Sequence, residues 1–177
     1  MIVKLEDVMC LPEFVNADAD QVQKKLDALE VMVRKYTNNN FQNRNIRFTA
    51  SSDGYILNGC HQFIRIGDTL QISDSEVNDG LYVVTETDLD AGIVTVDKEL
   101  FAVDYNLVTK IVYPADVVDG VINLMKWENS MREKVGIQSE MLSRHSVTYF
   151  NQDANNQVMG YPASLMGFLK AYIKARF

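Results

Sequence analysis

Residues 78–97 read NDGLYVVTETDLDAGIVTVD. Two short runs rich in β-branched and aromatic residues, Leu81–Glu86 and Ile93–Asp97, are parted by the turn-forming Asp90-Ala91-Gly92. That pattern predicts a hairpin. Working outward, Asn45–Ala50, Tyr55–Leu57, Gln62–Ile66, Thr69–Ile72 and Leu107–Tyr113 have the same texture. Turn signals separate them at Ser52-Asp53-Gly54, Asn58-Gly59, Gly67-Asp68 and Asn78-Asp79-Gly80. Regular short strands with glycine turns predict a small antiparallel β-barrel or β-sandwich over residues 46–112. Tyr55, Tyr82 and Tyr105 are expected in its core, which leaves few aromatics for stacking on a ligand.

The flanks have a different period. Between Asn16 and Tyr36, Val22, Leu26, Leu29, Val33 and Tyr36 recur at helical spacing. Asn16 or Asp18 can cap the start, and Thr37-Asn38-Asn39-Asn40 ends the helix. A shorter helix is expected at Leu5–Met9, stopped by Pro12. A second long helix starts near Pro114 with Val117, Val121, Leu124 and Glu128 on one face, and ends at Gly136. A third is expected from Pro162, with Leu165, Leu169 and Tyr172 in a stripe. A strand at Ser146–Phe150 lies between these last two helices. The fold class is therefore α+β: a small bundle of three main helices from residues 1–45 and 113–177, interrupted by the β-domain at 46–112. The alternative is one mixed α+β domain.

Of 177 residues, 47% are apolar and 23% charged, ordinary for a globular chain and unlike a disordered tail or fibre. No apolar run can span a bilayer, and the first ten residues are too acidic for a signal peptide, so a cytoplasmic protein is expected. Cys10 and Cys60 are too few for a disulfide framework and are expected as small buried residues. Five methionines, Met125, Met131, Met141, Met159 and Met166, read as core fillers. The net charge of −7 comes from the middle: residues 46–113 hold 4 basic and 11 acidic side chains. Such a surface repels a phosphate backbone, which argues against gripping DNA by counterion release.

Catalytic and metal signatures are weak. There is no glycine-rich phosphate loop. Cys60 and His61 are adjacent, so in a strand they point to opposite faces. In Asp74–Gly80 the glycine comes one place late for a calcium loop and the twelfth position is Thr85, so this is read as a hairpin turn. His145 between Arg144 and Ser146 makes no triad by sequence proximity. No enzyme activity, cofactor or metal is expected.

The helical flanks carry further motifs. Val33-Arg34-Lys35-Tyr36-Thr37-Asn38-Asn39-Asn40-Phe41 closes the first long helix, and Tyr113-Pro114-Ala115-Asp116-Val117-Val118 opens the second. Then come Val135-Gly136-Ile137-Gln138-Ser139-Glu140, Ser146-Val147-Thr148-Tyr149, Gly160-Tyr161-Pro162 and Leu169-Lys170-Ala171-Tyr172. This succession resembles the head–tail connector (head-completion or adaptor) family of tailed bacteriophages and prophages, over roughly residues 1–45 and 113–177. It departs from that family at 46–113, where members have a much shorter connection. The resemblance implies a structural virion protein, assembled in the host cytoplasm and then resident in the virion neck. Such proteins form a homo-oligomeric ring of about twelve copies beneath the portal protein, often from monomers in solution. They extend the DNA channel and dock a neck or tail-completion protein. For the ring, the less apolar sides of the first long helix, at Gln21, Lys25, Met32 and Lys35, are the candidate subunit interface. For the portal, the candidate docking tail is Lys170, Lys174, Arg176 and Phe177, a basic and aromatic hook. The alternative function is a stand-alone phage or prophage interaction module.

Overall fold

The computed structural model describes residues 1–131, 139–142, 145–148 and 157–175. It is mixed α and β, and it divides into two compact units. One is Met1 with Asn39–Tyr113, and the other is Ile2–Asn38 with Pro114–Phe177.

The first unit is a four-stranded antiparallel sheet, β1 (Gln42–Asn58), β2 (Thr69–Ser73), β3 (Gly80–Asp88) and β4 (Ile93–Ile111). The order is β1-β4-β2-β3, and β3 also pairs with β4, so β4 bonds to all three others. No pairing joins β1 to β2 or β3, so no ring of bonds runs through all four strands. The expected hairpin at 78–97 forms: Asp88 faces Ile93, and Asp88 Oδ1 accepts the N–H groups of Asp90 and Ala91 at 3.1 and 2.9 Å. The core is aliphatic, built on Leu57, Ile64, Leu70, Ile72, Val84, Val94, Val96 and Val108.

Three expectations for this unit are corrected. Asn45–Ala50 and Tyr55–Leu57 are one strand, β1, and Ile93–Asp97 and Leu107–Ile111 are one strand, β4. The polar residues between them sit in bulges and not in turns. Between Ala50↔Asn106 and Ser52↔Val103, β4 has two residues where β1 has one, and the same holds between Ser52↔Val103 and Gly54↔Leu100. Gly54, inside β1, takes φ +60° to follow the bend. Second, Gln62–Ile66 is a compact turn. Asp68 Oδ2 accepts from the Arg65 N–H at 2.7 Å and from Lys110 Nζ at 2.5 Å, and Arg65 donates to the carbonyls of Gln62 and Ile64. Side chains there satisfy backbone groups that a ladder would otherwise need. Third, Tyr82 is in the core, but Tyr55 and Tyr105 are exposed. Gly59 is fixed by space: a Cβ would sit 2.5 Å from the Thr49 carbonyl oxygen.

The bulges leave peptide groups without strand partners, and a buried polar cluster meets them. Asn78 Oδ1 accepts the Phe101 N–H at 2.8 Å, and Asn78 Nδ2 donates to the Phe101 carbonyl at 2.9 Å. Ser52 Oγ donates to the same carbonyl at 2.7 Å and accepts from Asn78 Nδ2 and Asn106 Nδ2, both at 3.0 Å. Asn106 Nδ2 also donates to the Ala50 carbonyl at 3.1 Å. All three side chains belong to buried residues. The segment once compared with a calcium loop holds Asn78 in place: Asp79 Oδ1 accepts the Ser75 N–H at 2.9 Å, and Ser75 Oγ accepts the Asn78 N–H at 3.2 Å.

The second unit contains α1 (Leu5–Met9), a 3-10 turn at Pro12–Phe14, α2 (Ala19–Thr37) and α3 (Ala115–Met131). Two small hairpins follow, β5 (Ser139–Leu142) with β6 (His145–Thr148), and β7 (Gln157–Val158) with β8 (Tyr161–Pro162). α2 starts where Asp18 Oδ1 accepts the Asp20 N–H at 2.9 Å, and ends on Asn38 in the left-handed conformation at φ 48°. Val22, Leu26, Leu29 and Val33 are buried as their spacing requires. So are Val117, Val121, Leu124 and Met125 of α3. The expected end of α3 at Gly136 and the strand residues 149 and 150 lie outside the described residues.

The third helix is a correction. From Pro162 the chain makes turns and then a 3-10 segment, Gly167–Tyr172. Met166 and Leu169, both buried, and Tyr172 are spaced by three, the period of a 3-10 helix and not of an α-helix. Phe168 also fixes a glycine: a Cβ on Gly120 of α3 would lie 2.5 Å from its ring atoms. Met125 and Met166 fill the core as expected, but Met159 is exposed, and of the cysteines Cys10 is exposed and Cys60 half-buried.

Two outcomes follow. Asn78→Ala orphans the Phe101 N–H and should lower the urea unfolding free energy by about 2–3 kcal/mol. Residues 39–113 expressed alone should unfold in one cooperative urea transition.

Candidate functional site: the grooved face of α2

α2 has a second stripe beside its buried one. Gln21, Lys25, Ala28, Met32 and Lys35 recur at spacings of 4, 3, 4 and 3, so they share a helical side. Gln21, Ala28 and Lys35 are exposed, and Lys25 and Met32 are half-buried. The structure thus puts all four candidate interface residues on one side of one helix.

That side is grooved. One cleft, of about 250 Å³, is lined by Lys24, Lys25, Ala28, Leu29 and Met32 of α2 and by Glu128 and Tyr161. A second, of about 200 Å³, is bounded by Phe14, Gln21, Val22, Lys25, Met125 and Asn129. Lys25 borders both. Its Nζ lies 3.1 Å from Glu128 Oε1, and the Glu128 side chain is only 4% exposed against 43% for Lys25. The Tyr161 hydroxyl donates to Glu128 Oε2 at 2.9 Å. A carboxylate buried this deeply needs both partners, because desolvation disfavours its charge. The Tyr161 ring also packs on Trp127, with centroids 5.6 Å apart.

The C-terminal segment is tied into the same unit. Lys174 donates its backbone N–H to the Thr37 carbonyl at 2.8 Å, and Asn38 Nδ2 donates to the Ala175 carbonyl at 3.0 Å. The Tyr172 hydroxyl donates to both oxygens of Asp116, at 2.8 and 2.9 Å. Asp116 lies in the first turn of α3, where the helix dipole favours a carboxylate. Its grip on the hydroxyl proton pushes the Tyr172 pKa above the ordinary 10.0. The side chains of Lys170 and Lys174 are exposed. Arg176 and Phe177, the remaining candidates for the docking tail, lie outside the described residues.

Sequence reasoning missed Tyr161 and Gly120. Tyr161 stood only as a motif residue, and nothing local signalled that it reaches Glu128. Gly120 in mid-helix was the available signal for a close approach. Among the described residues, no group of three or more His, Cys, Asp or Glu could hold a metal ion. Burial pushes the Cys60 thiol up in pKa, opposite to the activation a nucleophile needs. No described helix is long and apolar enough to cross a membrane.

Lys25→Met should cost about 1–2 kcal/mol of stability, since Lys25 is partly solvated and Tyr161 still serves the carboxylate. Adding Glu128→Gln should recover part of the loss in urea titrations. Because the folded-state pKa of Tyr172 is raised, its stabilising contribution is complete below pH 10 and is lost as pH rises through the folded value. Burial also pushes the Tyr82 hydroxyl up, so tyrosinate absorbance should show late-titrating tyrosines whose amplitude falls by one residue in Tyr172→Phe, with the Tyr82 part remaining.

No protein-family model matches the chain, and no curated protein matches its sequence.

Proposed function

We propose that the chain is a head–tail connector of a tailed bacteriophage or prophage: a structural protein, without catalytic activity, metal or cofactor, that forms a ring beneath the portal. The observation that carries this reading is the bond from Tyr172 to Asp116. It joins two of the motifs on which the resemblance rests, Pro114-Ala115-Asp116 and Leu169-Lys170-Ala171-Tyr172. A third motif reaches the same unit through Asn38 and Ala175. Residues that resemble one family in order are also partners in space.

In this reading the helical unit is the connector body and the β unit is an insertion. The insertion is read as a small antiparallel β-barrel or β-sandwich, which the pairing of β4 with all three other strands supports. The grooved side of α2 meets the neighbouring copy, and Lys170 and Lys174 face the portal together with Arg176 and Phe177. The excess of acidic residues at 46–113 lets DNA pass the channel without adhering. Assembly takes place in the host cytoplasm, the protein ends in the virion neck, and a neck or tail-completion protein docks on its far side.

The test is co-sedimentation with DNA-filled, portal-bearing heads. The full chain should bind them, and Lys170→Glu with Lys174→Glu should weaken binding at least roughly tenfold, about 1.4 kcal/mol. Both side chains are exposed, so the variant should keep its melting temperature. Deleting Ala171–Phe177 should abolish attachment. A full chain that ignores such heads, or binding indifferent to both changes, would overturn the proposal.

A further inference from the structure

Phe101 has the highest exposure of the large apolar side chains among the described residues, 70%. Its backbone is nevertheless tightly held. The Phe101 N–H and carbonyl are both bonded to the Asn78 amide, and Ser52 Oγ adds a third bond. It lies in a stretch where β4 carries an extra residue relative to β1, and such bulges re-aim a side chain. Tyr105, in the adjacent bulge, is exposed as well. An aromatic side chain on a backbone already locked loses little further freedom when it is captured, which is how interface anchors work.

The surroundings of Phe101 specify what would capture it. Between Asp97 and Tyr105 the strand carries Asp97, Glu99 and Asp104 against the single Lys98. Lys98 Nζ is turned to the Leu81 carbonyl at 3.0 Å. The complement is an apolar hole with a positive rim. The chain has such a hole in the cleft of about 250 Å³ on α2, where Ala28, Leu29 and Met32 give apolar wall. Lys24 and Lys25 outnumber the one carboxylate, Glu128, which Lys25 and Tyr161 already hold. An apolar cavity of roughly 150 Å³ is enough to take benzene, so a phenyl group fits.

We infer that Phe101 of one copy seats in the α2 cleft of a second copy. Knob and hole are made of different residues, so the contact is heterologous and leaves each copy a knob or a hole with which to join a further copy. Closure of that series into a ring rests on the connector reading, while the contact itself rests on these residues.

Two variants of the full chain test it. Phe101→Ala removes the knob and keeps the hole, and Ala28→Trp fills the hole and keeps the knob. Both sites are exposed, so both variants should fold. In sedimentation velocity the unaltered chain should assemble with rising concentration, and each variant alone should lose at least roughly tenfold in association. An equimolar mixture should form 1:1 pairs that grow no further, because one copy lacks a knob and the other a hole. Benzoylphenylalanine in place of Phe101, with differently tagged copies, should cross-link one copy to residues 24–32 of another, in solution or on portal-bearing heads. Variants that assemble like the parent, a mixture that does not pair, or cross-links absent, confined to one chain or mapping elsewhere would overturn the inference. Head binding without pairing would remove this contact alone, and pairing without head binding would remove the connector reading alone.

Discussion

The side-chain amide of Asn78 presents a carbonyl and an N–H₂ group to one peptide, that of Phe101, as a neighbouring strand would. The architecture of the β unit depends on this substitution. β4 can serve three partners only if it bends, and it bends by inserting extra residues opposite β1. Each insertion takes peptide groups out of the ladder, and buried orphans of that kind cost on the order of 1–3 kcal/mol apiece. Ser52, Asn78 and Asn106 absorb them with little left over. Ser52 gives its one proton and accepts two, and Asn106 uses both amide protons. A network this fully satisfied selects one register, because a slip by one residue would strand several buried polar groups at once.

The helical unit reaches definition by other means. Its core is ordinary amphipathic packing, but its specific features are single contacts between segments far apart in the chain. Lys25 and Tyr161 converge on Glu128, Phe168 occupies the space that Gly120 leaves open, and Tyr172 closes on Asp116. Each joins the C-terminal segment or α2 to α3. The grooved side of α2 follows from this arrangement, since Tyr161 and Glu128 supply the wall that turns a helix surface into a cleft.

What the sequence discloses follows from how local each cause is. The α2 stripe, its Asp18 cap and its Asn38 end are local, and they read correctly from period and side-chain chemistry. The same holds for the hairpin around Asp90-Ala91-Gly92. Ser52-Asp53-Gly54 misleads because residues that make turns also make bulges, and only the partner strand decides between them. Asn78 and Asn106, 28 residues apart, carry no mark of their bond. Gln62–Ile66 has strand composition, but Asp68 and Arg65 satisfy its backbone first. At Gly167–Tyr172 six residues are too few to separate a period of three from one of 3.6. For the α2 face, spacing placed Gln21, Lys25, Met32 and Lys35 together, but the cleft needs Tyr161, which no pattern ties to α2.

The interruption of the helical unit at Asn38 and its resumption at Pro114 set an order of events during synthesis. The β unit is a nearly continuous stretch, so its strands can pair as soon as β4 leaves the ribosome. α2 emerges earlier but cannot acquire α3 until the stretch between them has been made. At about 5–20 residues per second, that delay is roughly 4–15 s. Throughout it Lys25 lacks Glu128, and the apolar stripe Val22, Leu26, Leu29 and Val33 waits for the residues from 114 onward that complete its unit.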